Sequence, residues 1–237
     1  MSMLYDAYEA LRSLFFRSEC MACGCSVTKE MRGLCPKCRY DIPLTYYWLE
    51  EDNVLRKRLN TIAPIVHASA FMFYRDGSVW RRLIHRFKYS GEWQLAYNMG
   101  LYYGAELKAS GLYSDVDVVV PVPLHAIKTM RRGYNQSTYL AEGIAKGLGV
   151  DICTRAIKRQ RNNPSQTSRT TNDRWRNVDD IFCVCRPNKL KDRHILLVDD
   201  VLTTGATMSA CVTAIHAALP DARVSIAALA AARRVSE

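Results

Sequence analysis

Four apolar residues, Ile195 to Val198, run directly into Asp199-Asp200, and Thr203-Thr204-Gly205-Ala206-Thr207 then opens a helix. A strand without polar interruption has both faces covered, the condition of a parallel sheet held between layers of helix. The glycine allows a tight turn, and the free amides of the following helix converge on one point with the positive end of its dipole behind them. A phosphate monoester suits that point. Thr203, Thr204 and Thr207 add hydroxyl donors, while the carboxylates of Asp199 and Asp200 suit the hydroxyl groups of a sugar attached to the phosphate. The plainer reading, a strand, a turn and a capped helix with no ligand, leaves two adjacent aspartates facing a hydroxyl-rich helix start unexplained. A P-loop is excluded, because no Gly-x-x-x-x-Gly-Lys precedes any helix.

The remaining chain supplies the layers that such a loop needs. Ile65 to Tyr74 reads as a strand stopped at Asp76-Gly77, and Val116 to Val120 as a β-branched strand covered on both faces and ending in Pro121-Val122-Pro123. Short strands are expected at Val150 to Cys153, Ile181 to Cys185 and Val224 to Leu229. Helical spacing appears in Leu4, Tyr8, Leu11 and Phe15, from Ser78 to Lys88, from Trp93 to Lys108, through Tyr139, Leu140, Ile144 and Leu148, and between Thr207 and Leu219. In the helix after Ser78, Trp80, Leu83, Ile84 and Phe87 share the apolar face and are expected in the core, with arginines around the rest. Alternating strands and helices predict an α/β fold with a mainly parallel central sheet flanked by helices, whose ligands gather at the carboxyl ends of the strands. We expect an N-terminal helix and small module over residues 1–45, an irregular polar connector over 46–63 and the α/β domain over 64–237.

Five of the nine cysteines crowd between Cys20 and Cys38. Cys20-Met-Ala-Cys23 and Cys35-Pro-Lys-Cys38 are separated by 11 residues, and paired knuckles of this kind place four thiolates around Zn²⁺ with no open position, so a structural metal is expected. A redox dithiol needs only one Cys-x-x-Cys. Cys25 is a fifth candidate ligand, whereas Cys153, Cys183, Cys185 and Cys211 are expected as small core residues. The segment Met1 to Phe16 mixes charged with apolar residues and does not resemble a secretory leader, so a cytoplasmic location is expected, with no transmembrane segment. The formal charge of +10 suits polyanionic partners.

The run of four apolar residues, two acids, three spacers and Thr-Gly-x-Thr resembles the fingerprint of type I phosphoribosyltransferases. With Pro121-Val122-Pro123-Leu124-His125, Arg131-Arg132-Gly133-Tyr134-Asn135-Gln136-Ser137, a polar segment holding Gln166, Arg174 and Asn177, and the cysteine cluster, the chain resembles the ComF family from about Cys20 to Ala230. That resemblance implies 5-phosphoribosyl-1-pyrophosphate as ligand, held with Mg²⁺, and a role in DNA uptake and natural transformation. It implies that Asp199 and Asp200 hold the ribose hydroxyls and that Thr203 to Thr207, Gly205 and Ala206 included, hold the 5′-phosphate. Pro121, Val122, Pro123 and Leu124 form the candidate pyrophosphate loop, and Arg131 and Arg132 can clamp phosphate oxygens. Lys158 to Arg176 reads either as a basic loop closing over the ligand or as a charge-rich surface loop. Purine-salvage members carry an acid before the Thr-Gly pair; Thr203 stands there instead, which disfavours hypoxanthine or guanine as acceptor. No base for activating a nucleophile is evident. Transfer of phosphoribose to an unidentified acceptor and a non-enzymatic role, contacting single-stranded DNA or a competence helicase, both remain open.

Overall fold

A computed structural model describes residues 19–28, 31, 33–124, 129, 130, 132–159 and 182–232. The expected opening helix, Arg131, His125 and the basic segment from 160 to 181 lie outside the described residues. In chain order the elements are α1 (Pro36–Tyr40), α2 (Val54–Asn60), β1 (Ala68–Tyr74), α3 (Val79–Tyr89), α4 (Trp93–Ser110), β2 (Val118–Pro121) and α5 (Gln136–Leu148). Then follow β3 (Asp151–Ile152), β4 (Ile157–Arg159), β5 (Phe182–Val184), β6 (His194–Leu202), α6 (Ala206–Ala218) and β7 (Arg223–Ala232).

Five strands form one sheet in the order β1-β7-β6-β2-β3, and every pairing in it is parallel. The apolar run at Ile195 to Val198 lies at its centre with no exposure at all, as a strand covered on both faces requires. Successive residues face opposite layers: Leu196 and Val198 join a core with α3, α4 and α5, whereas Ile195 and Leu197 join one with α2 and α6. The connection after β2 passes through α5 on the first face, and that after β6 passes through α6 on the second. The chain therefore departs in opposite directions from the carboxyl ends of two neighbouring strands, which opens a crevice between them.

Three expectations needed correction. Asp117 interrupts the β-branched run, and its backbone amide and side chain bond the His194 backbone at 3.0 and 2.7 Å, so β2 begins only at Val118. The connector is not irregular: it holds a 3₁₀ turn at Tyr47–Leu49 and α2, with Trp48, Leu55 and Leu59 buried. Asn53 caps α2 by accepting from the Arg56 amide at 2.9 Å and donates to Ala68 O at 2.9 Å, which ties the segment to β1. A seven-residue helix spans too few turns to display a periodic face, so the pattern had little chance to reveal it. Finally, only Cys211 among the four later cysteines is fully buried; Cys153 and Cys183 are half-buried and Cys185 is exposed.

Helices α4 and α5 meet backbone to backbone through Gly100, Gly104, Gly143 and Gly147. A Cβ at Gly143 would lie 2.1 Å from Tyr97 O, and one at Gly100 2.2 Å from Leu140 O. Trp80 and Phe87 are buried in the core as expected. Among the described residues no helix is long and apolar enough to cross a membrane.

Candidate functional site

Strand β6 runs four residues beyond Val198, so Asp199 and Asp200 still lie within it, Asp199 opposite Ala228 and Val201 opposite Ala230. Their side chains consequently leave opposite faces of the strand. Asp199 Oδ1 accepts from Ser137 Oγ at 2.8 Å and from the Asp200 amide at 2.8 Å. Asp200, 5% exposed, accepts from Gln136 Nε2 at 2.5 Å and forms an ion pair with Lys88 Nζ at 2.7 Å. Burial, and next the negative charge of Asp200, push the Asp199 carboxyl up to about 7, against the opposing hydrogen bond from Ser137 and the charge of Lys88.

Lys88, Gln136 and Ser137 thus secure the acidic pair, and none of the three was assigned that role from sequence. Gln136 and Ser137 lie in the first turn of α5, where Asn135 Oδ1 accepts from the Ser137 amide at 3.2 Å. Asn135 Nδ2 also donates to Val122 O at 3.0 Å, which draws the start of α5 against the end of β2. The available signal was polarity: Gln136 and Ser137 open an otherwise amphipathic helix, yet both are almost wholly buried. Gln136 Oε1 is buried without a hydrogen-bond partner among the described residues.

Beyond β6 the chain turns through Thr203 and Thr204 to Gly205, which caps α6 in the left-handed conformation at φ 86°. Thr203, Thr204, Ala206 and Thr207 are exposed, and with Asp199 they line one small hollow at the start of α6. Thr204 Oγ1 accepts from the Ala206 amide at 3.4 Å. Gly205 is buried against α2: a Cβ there would lie 2.5 Å from Leu59 Cδ2. The segment read as a connector therefore forms the floor of this loop.

Across the crevice, Pro121 closes β2 and the Val122 amide donates to Val198 O at 2.8 Å. Proline has no amide proton, so within Pro121 to Leu124 only Leu124 has a backbone donor outside that sheet bond. Arg132 reaches the other way. Its guanidinium lies 4.6 Å from the Tyr89 ring centre and donates to Tyr89 Oη at 3.0 Å, and the His85 ring packs tilted against Tyr89 with centroids 4.5 Å apart. Tyr89 is 59% exposed, so this ladder of cation and rings faces solvent one residue from Lys88.

In the cysteine module, the Sγ atoms of Cys20, Cys23, Cys35 and Cys38 all lie within 4.8 Å of one another. Tetrahedral zinc with bonds of about 2.3 Å sets its sulfurs roughly 3.8 Å apart, and Cys23 and Cys35 are 3.8 Å apart. Backbone N–H groups of Cys35 and Cys38 donate to Cys20 Sγ and Cys35 Sγ, both at 3.4 Å. The Cys25 backbone amide, foremost, lowers the Cys23 thiol to about 6. Donor set, spacing and sulfur hydrogen bonds are compatible with a closed, structural zinc site. Cys25 lies outside the four-sulfur group; its carbonyl instead accepts from the Cys20 amide at 2.7 Å. The module is fastened to α3 by Arg86, which donates to Met21 O at 2.8 Å, and by Trp80, whose indole donates to Asp41 O at 3.2 Å.

Residues 134–236 match the family model described as the phosphoribosyl transferase domain. The chain is similar to Competence protein F of Haemophilus influenzae, with 25% identity over 210 residues, covering 82% of this chain and 89% of that protein. It is similar to DNA utilization protein YhgH of Escherichia coli, with 29% identity over 199 residues and 80% of each chain covered. Competence protein ComFC of Bacillus subtilis is 24% identical over 191 residues, covering 80% of this chain and 74% of that one. With the parallel sheet and the strand-to-loop geometry at Asp199 to Thr207, these similarities carry one conclusion: the chain has a type I phosphoribosyltransferase-like fold, and its relatives support the ComF family.

Proposed function

We propose that the protein binds 5-phosphoribosyl-1-pyrophosphate at the crevice between the ends of β2 and β6 and transfers its phosphoribose to an acceptor, in a cytoplasmic role linked to DNA uptake. The observation that supports this reading most is the convergence at one sheet edge of a secured acidic pair and a hydroxyl-rich helix start. Asp199 and Asp200 take the ribose 2′- and 3′-hydroxyls, and the amides and hydroxyls from Thr203 to Thr207 take the 5′-phosphate. Pro121 to Leu124 are assigned to the pyrophosphate, with Leu124 contributing the amide because the Val122 amide is already bonded to Val198; Arg131 is assigned to clamp its oxygens, and Arg132 can do so only by leaving Tyr89.

Magnesium belongs with the pyrophosphate rather than in a cage of protein ligands. Lys88 and Gln136 already bond Asp200, and Ser137 bonds Asp199, so these residues fit an ion that would be held chiefly by ligand oxygens. When bound, such an ion neutralises the charge developing on the departing pyrophosphate.

A second reading is favoured by the exposed ladder of His85, Tyr89 and Arg132. In it the pocket regulates a protein that is not an enzyme, and the ladder stacks bases of single-stranded DNA while its cations meet phosphates. Calorimetric titration with 5-phosphoribosyl-1-pyrophosphate and magnesium tests the shared premise. Wild type is expected to bind, and Asp199→Asn/Asp200→Asn is expected to bind more weakly with unchanged zinc content; equal affinity would remove the roles given to those carboxylates. Pyrophosphate release that depends on an acceptor then selects the first reading, and salt-sensitive DNA binding without turnover selects the second.

A further inference from the structure

Strand β5 and the residue after it read Phe182, Cys183, Val184, Cys185, an alternation hidden when cysteine is counted as apolar. Phe182 is buried and Val184 packs against the core that contains Met208 and Val212 of α6. The two cysteines occupy the other face, Cys183 half-buried and Cys185 exposed, with their Sγ atoms 3.8 Å apart. We propose that Cys183 and Cys185 are a modification site that closes into a reversible intrachain disulfide, separate from the cluster at Cys20 to Cys38. Nothing in this depends on what occupies the loop at the start of α6.

The geometry allows the bond. A strand rise of about 3.3 Å per residue places two residues on the same face roughly 6.6 Å apart at Cα, inside the limit of about 6.8 Å for a disulfide. Cys185 follows the last residue of β5 and already lies in a bend, with its Sγ 3.8 Å from that of Cys183. Its amide donates to Ala156 O at 2.7 Å, which keeps that bend beside β4.

Two cationic residues stand beside the pair. Lys158 lies across the ladder from Cys183, and Arg186 follows Cys185. Desolvation and then the neighbouring Cys183 raise the Cys185 thiol, while Lys158 and Arg186 act in the opposite direction. The raised Cys185 thiol favours its protonated form, so exchange is expected to quicken as pH rises. The oxidant is a low-molecular-weight disulfide such as glutathione disulfide. A cysteine thiolate attacks one of its sulfurs, forming a mixed disulfide and expelling one glutathione thiolate, which takes a proton. The second cysteine gives its proton to solvent and attacks the mixed disulfide, expelling the other glutathione. Two protein thiols lose two electrons, and one glutathione disulfide gains them to become two thiols. An exposed bond of this kind is readily reduced again.

The test uses the full chain as purified, with its zinc content measured, equilibrated in mixtures of reduced and oxidised glutathione and quenched with an alkylating agent. Peptide mass spectrometry reads the segment that contains both cysteines. As the buffer becomes oxidising, that peptide is expected to lose two hydrogens and both alkyl labels without joining another chain, and dithiothreitol should restore both labels. Cys183→Ser and Cys185→Ser, each at an accessible position, should instead end as a single glutathione adduct on the remaining cysteine. If wild type stays doubly alkylated at every ratio, or ends as a mixed or interchain disulfide, the proposal is wrong.

Discussion

Replacing Gly205 with alanine should weaken the whole fold through two separable effects. Gly205 has φ 86°, and a Cβ there would lie 2.5 Å from Leu59 Cδ2. The left-handed backbone costs an L-residue about 1–2 kcal/mol, and forcing a methyl group into a filled site costs roughly 1–3 kcal/mol more. Together these give about 2–5 kcal/mol for Gly205→Ala, a melting-temperature loss of roughly 4–20 °C for a chain of this size. Leu59→Ala alone should cost about 2–5 kcal/mol, because it empties a buried site. In the double variant the new methyl group occupies part of the space that Leu59 leaves, so the two losses should not add. Urea denaturation of all four proteins measures the difference, which we expect to be at least about 1 kcal/mol less destabilising than additivity, well beyond the scatter of roughly 0.5 kcal/mol seen for independent sites. Additive losses would refute the claim that α2 is the floor of the loop.

Gly143→Ala should cost about 3 kcal/mol, near the upper end for overpacking, because its Cβ meets Tyr97 O at 2.1 Å and both helices must separate; a urea midpoint close to wild type would show that α4 and α5 can slide apart freely. The Asp199 carboxyl is raised to about 7, so the folded chain holds this proton more tightly than the unfolded chain does. Its stabilising contribution is complete below the ordinary aspartate value and is lost as pH rises through 7. Asp199→Asn should accordingly gain stability relative to wild type at pH 8 compared with pH 5, and an equal difference at both pH values would contradict the raised carboxyl. Removal by a chelator of the zinc expected at the four cysteines should release the Cys20 to Cys38 module from α3, exposing Trp80, now 3% exposed, and shifting tryptophan emission to the red. Unchanged emission in protein shown to be metal-free would mean that the module keeps its shape without the ion.

Local chemistry made part of this protein legible before any fold was known. The apolar run ending at Asp199-Asp200, the glycine at 205 and the two cysteine pairs each announce themselves, because a buried strand, a left-handed turn and a tetrahedral thiolate site constrain neighbouring residues. The α/β class followed from alternating periods, and both Trp80 and Phe87 proved to be core as their helical spacing required. Other features escaped for definable reasons. Helix α2 is too short to show a period, and Cys183 and Cys185 were obscured because cysteine counts equally well as a buried apolar residue or an exposed thiol.

The partners of the acidic pair belong to a different category. Nothing near Asp200 in the chain points to Lys88, and nothing near Asp199 points to Ser137; they meet because the fold brings the end of α3 and the first turn of α5 to the carboxyl end of β6. The four glycines that let α4 touch α5 are likewise unremarkable residue by residue and become necessary only once the two helices cross. Composition and spacing determined that this chain would carry an acidic, hydroxyl-rich strand-to-helix loop on a parallel sheet beside a four-cysteine cluster. Which side chains hold that loop's acids, and which helix lies beneath its glycine, was decided by packing across layers, where contacts depend on how distant segments bury one another and not on their order in the chain.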